Sequence, residues 1–172
     1  MQRKEFIQSS SVLIAGSLIA REQLFEIING EKVYGQNEKR YKLVKDSVKA
    51  DATTLPVNDC HEMMQDAKGH IVLLTNEIKN NVIFFNKKGK LKGTWGHDFP
   101  GAHGLTIWGD KEQFFFITDT VKNEFYKTTA DGRILQTWKY PVESEKYFDP
   151  KRFIPTETTI TKDGEIYVAD GY

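Results

Sequence analysis

A single cysteine, Cys60, in 172 residues excludes an internal disulfide framework and any site built on several thiolates. An excess of either charge is missing too. The 24 Lys plus Arg balance 24 Asp plus Glu, so the formal net charge is zero. That leaves no electrostatic footprint for a phosphate backbone, and nucleic acid is not expected as a partner. No apolar run reaches the ~20 residues a stable membrane-spanning helix needs. No phosphate-binding glycine-rich loop, nucleophile elbow or H-E-x-x-H motif occurs, and helical periodicity is lacking after residue 40. What is present is 39% hydrophobic, 12% aromatic and 28% charged, the composition of a folded protein. At this length it holds one domain with a short appendage.

Residues 1–20 have the layout of a signal peptide. Arg3 and Lys4 precede Phe6-Ile7, then a small-residue and apolar stretch runs to Ala20, with Ala15, Ser17 and Ala20 as cleavage candidates. The run Gln2-Arg-Lys-Glu-Phe-Ile-Gln8 is similar to the twin-arginine export motif, with Lys4 at the second arginine position. The alternative is an amphipathic N-terminal helix. Export implies a periplasmic or secreted protein with no stable membrane anchor after signal cleavage. Residues 21–40 are charged, poor in apolar clusters and broken by Gly30 and Gly35, and read as a linker or a lead-in strand. Tyr41-Lys-Leu-Val44 has the alternation of a first outer strand.

From there the chain repeats. Gly89 and Gly132 lie 43 positions apart, and each is followed six positions later by a tryptophan, Trp95 and Trp138. Asn81-Val-Ile-Phe-Phe85 sits over Asn123-Glu-Phe-Tyr126, and His61-Glu-Met-Met64 over His103-Gly-Leu-Thr106, both 42 apart. A third copy opens at Pro155-Thr-Glu-Thr158, turns at Lys162-Asp-Gly164 and reaches Ile166-Tyr-Val-Ala-Asp170. In the first copy, strands are expected at 60–65, 71–75, 81–86 and 91–95, with Asp, Asn and Gly at the reversals between them. Four short strands per repeat of about 40 residues are the pattern of a β-propeller blade. The expected fold is therefore all-β: a partial β-propeller over 41–172 of about two and a half blades. Because propellers close with about 4 to 8 blades, the missing C-terminal blades of the same protein are expected after Tyr172. A β-sandwich and a ring assembled from several copies are the alternatives.

The repeat texture resembles the NHL class of six-bladed propellers. Two stretches are similar to the catalytic domain of peptidyl-α-hydroxyglycine amidating lyase: Ala102-His-Gly-Leu105 through Phe116-Ile-Thr-Asp119, and Phe153-Ile-Pro-Thr-Glu-Thr158 through Ile166-Tyr-Val-Ala-Asp-Gly-Tyr172. The resemblance implies a zinc ion in a central channel, with His103 as its first ligand. It also implies a calcium ion held through backbone carbonyls, with Leu105 and Met63 in those places, and Tyr172 as the catalytic base. Two positions depart from the family. Asn76 stands where the lyase has an essential arginine and cannot supply a fixed positive charge. His61 occupies a register where the lyase has no histidine, which gives this chain two histidines at matching places.

Each candidate has a plainer role beside the functional one. His61 and His103 can bind an axial metal or ligand, or hydrogen-bond neighbouring backbone. Tyr172 can act as base or pack along the channel, and Cys60, one residue before His61, can join a site or, as it is read here, be a small buried core thiol. His70 and His97 lie in or beside turns and are read as solvated. Trp95, Trp138 and Phe114-Phe-Phe116 are read as packing, with Phe114 and Phe116 on one face. Two functions are expected: a metal-containing channel site with lyase-like or hydrolytic chemistry, or a non-catalytic scaffold binding a peptide, glycan or protein.

Overall fold

The computed structural model describes residues 25–28, 31–36, 38–143 and 149–171, which fall in two compact units, residues 1–46 and 47–172. The expected signal peptide, 1–20, and Tyr172 lie outside the described residues. Among the described residues, regular structure is strand throughout, in four antiparallel sheets, apart from the single 3₁₀ turn Pro150–Arg152. The all-β expectation holds.

The first unit is a meander of β1 (Phe25–Ile28), β2 (Glu31–Gln36) and β3 (Lys39–Lys42). The stretch read as linker or lead-in thus carries two strands and the start of a third, and β3 ends at Lys42 where an outer strand was expected to run from Tyr41 to Val44. The sequence holds a reason. Asn29-Gly30, the pair that two-residue hairpins favour, separates the strands that pair Ile28 with Glu31.

The second unit begins with β4 (Glu62–Gln65), β5 (Ile71–Leu74), β6 (Val82–Phe85) and β7 (Leu91–Trp95), hydrogen-bonded in that order. A second four-stranded sheet follows: β8 (Ala102–Trp108), β9 (Phe114–Asp119), β10 (Glu124–Thr129) and β11 (Ile134–Trp138). A hairpin of β12 (Pro155–Ile160) and β13 (Ile166–Asp170) forms the third. The four strands expected in the first copy all form, each within two residues of its expected ends. The β6–β7 and β10–β11 turns each place a glycine in the left-handed region, Gly89 at φ 73° and Gly132 at φ 94°. Asn86 Oδ1 caps the first of these turns by accepting from the Lys88 and Lys90 amides.

Alternation gives each sheet two faces. Val72, Leu74 and Val82 of the first sheet meet Leu105, Phe115, Ile117 and Tyr126 of the second, with Phe99 and Ala102 between them, in the main core. Trp95 closes this boundary by donating its indole N–H to the Ala130 carbonyl at 3.0 Å. Phe114 and Phe116 share the opposite face, as expected, with the Lys127 ammonium over Phe114 at 4.2 Å and over Phe116 at 5.9 Å. The hairpin is tied to that face by Trp108 Nε1 to Thr161 O at 2.9 Å and Thr106 Oγ1 to Thr158 O at 2.5 Å.

The other face of the first sheet holds Ile83 and Phe85, covered by Leu55. Leu55 belongs to a strap, residues 47–59, that crosses this sheet. The Lys49 amide donates to Gly89 O, the Asn80 side chain to Pro56 O, and the Asn76 amide to Asn58 O. Cys60, read as a core thiol, is exposed. It follows the strap and precedes β4, so no sheet face receives it.

Candidate functional site

The first strands of the three sheets are neighbours: β8 has β4 on one side and β12 on the other. His61 immediately precedes β4, and His103 is the second residue of β8. The matching register therefore brings the two imidazoles together. Their rings stack with centroids 4.1 Å apart and planes 20° from parallel. His103 Nδ1 lies 2.9 Å from the Thr156 carbonyl oxygen of β12. A carbonyl only accepts, so Nδ1 carries the proton and, in the neutral ring, Nε2 carries the lone pair.

Gly104 makes this approach possible. A Cβ there would lie 2.5 Å from Thr156 O and 2.9 Å from Glu157 Oε1, closer than side chains tolerate. Its absence lets β8 and β12 close until Thr156 O reaches His103, and until Thr118 Oγ1 donates to the same carbonyl at 3.0 Å. Glu157 then lies across Gly104. Its Oε1 accepts from the Thr158 amide at 2.8 Å and from Thr106 Oγ1 at 3.3 Å. Burial raises the Glu157 carboxyl above the usual glutamate range, and the nearby Glu62 charge adds to the rise.

This shift has a measurable consequence. The folded state keeps the Glu157 proton over a pH window in which the unfolded chain has lost it. Stability therefore falls as pH rises from the ordinary glutamate range to the raised one, then levels off. Glu157→Gln should remove that fall, flattening the pH profile of the urea midpoint in this window. An unchanged profile would show that Glu157 ionises freely.

No protein-family model and no curated protein matches this sequence. The likeness to the amidating lyase therefore stands on the quoted motifs alone, and the remaining expected residues are placed by the fold. Met63 is on β4 opposite Leu73, with an exposed side chain. Leu105 is on β8 opposite Ile117, with its side chain in the core. Either could bind an ion only through its backbone. At the end of β13, Asp170 Oδ1 accepts from the Ile154 amide at 2.7 Å and the Gly171 amide donates to Ile154 O. The segment leading to Tyr172 thus runs beside the start of β12.

Asn76 has a structural task. Its amide group donates to Asp59 Oδ2 and its oxygen accepts from the Asn58 side chain, which fastens the strap. His97 is exposed, with Nδ1 2.7 Å from Ile78 O. His70 is not simply solvated: it is part-buried, with Nδ1 2.8 Å from Asp66 Oδ2.

The histidine pair does not fit a zinc ion as it stands. Zinc ligands converge with Zn–N near ~2.0 Å, whereas an imidazole lone pair lies in its ring plane, and two ring planes only 20° from parallel with centroids 4.1 Å apart do not meet that close to both rings. Among the described residues, no group of three His, Cys, Asp or Glu side chains is assembled to hold a metal. Calcium takes about six to eight oxygens, and the Met63 and Leu105 carbonyls would supply two.

Sequence reasoning missed Glu62 and Glu157. The pointer to Glu62 was its place directly after His61, in register with Gly104. The pointer to Glu157 was its place in the opening of the third copy, a stretch used for counting repeats and for the family resemblance but not for its carboxylate.

Proposed function

We propose that residues 47–172 are part of an exported NHL-type β-propeller that binds a small polar ligand, such as a peptide, at the mouth of its axial channel. In this reading each four-stranded sheet is one blade, and β4, β8 and β12 line the channel. Two consecutive meanders with neighbouring first strands, and the Gly-to-Trp spacing they share, support it. β13 pairs only with β12 among the described strands. Its open edge suits further strands of the same protein, on the way to a ring of six blades. Export rests on the layout of residues 1–20.

The observation that carries the binding role is the stacked His61–His103 pair, with one ring oriented by Thr156. Fixed imidazoles at a channel mouth offer a ligand hydrogen bonds and, when protonated, positive charge. Glu157 adds a carboxyl beside them. The parallel rings favour this direct recognition over a metal-centred one. Lyase chemistry is not part of the proposal, because Asn76 replaces the arginine and is engaged with the strap.

Metal analysis and histidine NMR on the full chain test the proposal together. Purified protein exposed to zinc and desalted should retain far less than one equivalent. Short peptides should shift the ring C–H signals of both histidines saturably, and His103→Ala should abolish that response. Stoichiometric zinc that disappears in His103→Ala would replace this reading with the metal-centred one. A folded protein that binds neither zinc nor any peptide would end it.

A further inference from the structure

At the far end of β4 from His61, the two four-stranded sheets part to leave a cleft of about 670 Å³. Its origin can be read from the repeat. In the second sheet the residue paired with Lys127 is Gln136. The residue 43 positions earlier, paired with Phe84, is Gly93. Gly93 needs no left-handed backbone, and a Cβ built on it would meet nothing within 4 Å. Neither strain nor crowding requires glycine here. What glycine does is leave this place on the sheet bare, where the second copy carries the exposed Gln136 side chain.

The walls are specific. Phe84 and Trp95 flank Gly93 on the first sheet. His70 is oriented by Asp66 through Nδ1, which leaves Nε2 as the nitrogen available to a ligand. Gln113 spends its side-chain oxygen on the Ala67 amide at 2.7 Å, which leaves its NH₂ group available as well. The charges lining it are of both signs: Lys68, Lys92 and Lys111 with Asp66, Glu112 and Asp131. Apolar ring surface with a few oriented polar groups, in a volume between about 300 and 1,000 Å³, is the usual make-up of a small-molecule site. The chemistry narrows the ligand. A hydroxyl both donates and accepts, so it satisfies an imidazole nitrogen and an amide NH₂ alike. With three lining residues of each sign, the lining does not select for net charge.

We infer that this cleft binds a hydroxylated ring, one sugar unit of a neutral saccharide, seated over Gly93 between Phe84 and Trp95 and hydrogen-bonded by His70 Nε2 and the Gln113 amide. The site is separate from the histidine pair, and its test does not depend on that pair.

The experiment titrates the full chain with maltose, cellobiose and N,N′-diacetylchitobiose while following the three indole N–H signals by NMR. At least one sugar should saturate at millimolar concentration and move the Trp95 signal more than those of Trp108 and Trp138. Gly93→Gln, which installs the side chain of the second copy, should weaken that sugar about tenfold or more without lowering the unfolding midpoint. His70→Ala should weaken it while leaving the fold intact. No saturable shift with any of the three sugars would overturn the inference, as would a response undiminished in Gly93→Gln.

Discussion

Asn81→Leu should cost about 3–5 kcal/mol of stability, read as a drop in the urea midpoint of the full chain. Asn81 is fully buried. Its NH₂ group donates to Thr75 O at 3.0 Å and Phe99 O at 2.9 Å, and its oxygen accepts from the Phe99 amide at 3.2 Å. One side chain thereby joins the end of β5 to the segment that enters the second sheet. Leucine fills a similar volume but leaves the Thr75 carbonyl and the Phe99 amide in an apolar boundary without partners, at about 1–3 kcal/mol each, and the Phe99 carbonyl with the Ala102 amide alone. Asn81→Asp separates the two halves of the role, because a carboxylate can accept from Phe99 but cannot donate to either carbonyl. It should be destabilising as well. A loss below about 1 kcal/mol for the leucine variant would mean that water reaches these groups and that the two sheets are less closely joined than described.

Gly104→Ala should be nearly as costly, at about 1–3 kcal/mol for overpacking a closed contact, and its effect should be read at His103 as well as in stability. The added methyl meets the Thr156 carbonyl, the Glu157 backbone and the Glu157 carboxylate at once. Two of those atoms belong to a strand that cannot shift alone, because Trp108, Thr106 and Thr118 also hold it. Moving β12 away stretches the His103–Thr156 bond, so the His103 Nδ1–H signal should move or broaden and any ligand response of the pair should weaken. A variant as stable as the parent, with that signal unchanged, would show that β8 and β12 lie farther apart than the structure has them.

Much of the second unit was legible because its local signals agree with one another. Turn glycines, strand-length apolar runs and a nearly constant spacing all point to the same strands, and such agreement makes a sequence readable. The same spacing placed His61 beside His103, which no local pattern states. Legibility failed where a residue's role is set by distant partners. Nothing around Asn76 announces that it fastens residues 58 and 59. Glu157 looks like an ordinary strand glutamate until Gly104 lets it cross toward Glu62. Cys60 was assigned by the habits of its residue type, and a position between strap and strand defeats that rule. The first unit was hidden differently: its strands are charged and lack clean alternation, so the Asn29-Gly30 pair was the main sign of them.

The strap has a mechanical consequence. Tension applied through residues before 47 reaches the first sheet at the Lys49–Gly89 bond, and only then at Pro56–Asn80 and Asn58–Asn76. Loaded at residue 47, the strap peels one attachment at a time and uncovers Ile83 and Phe85 before any strand of the sheet beneath it separates. Under such a pull the β4–β7 sheet loses its wrapping first, with its own strands still paired.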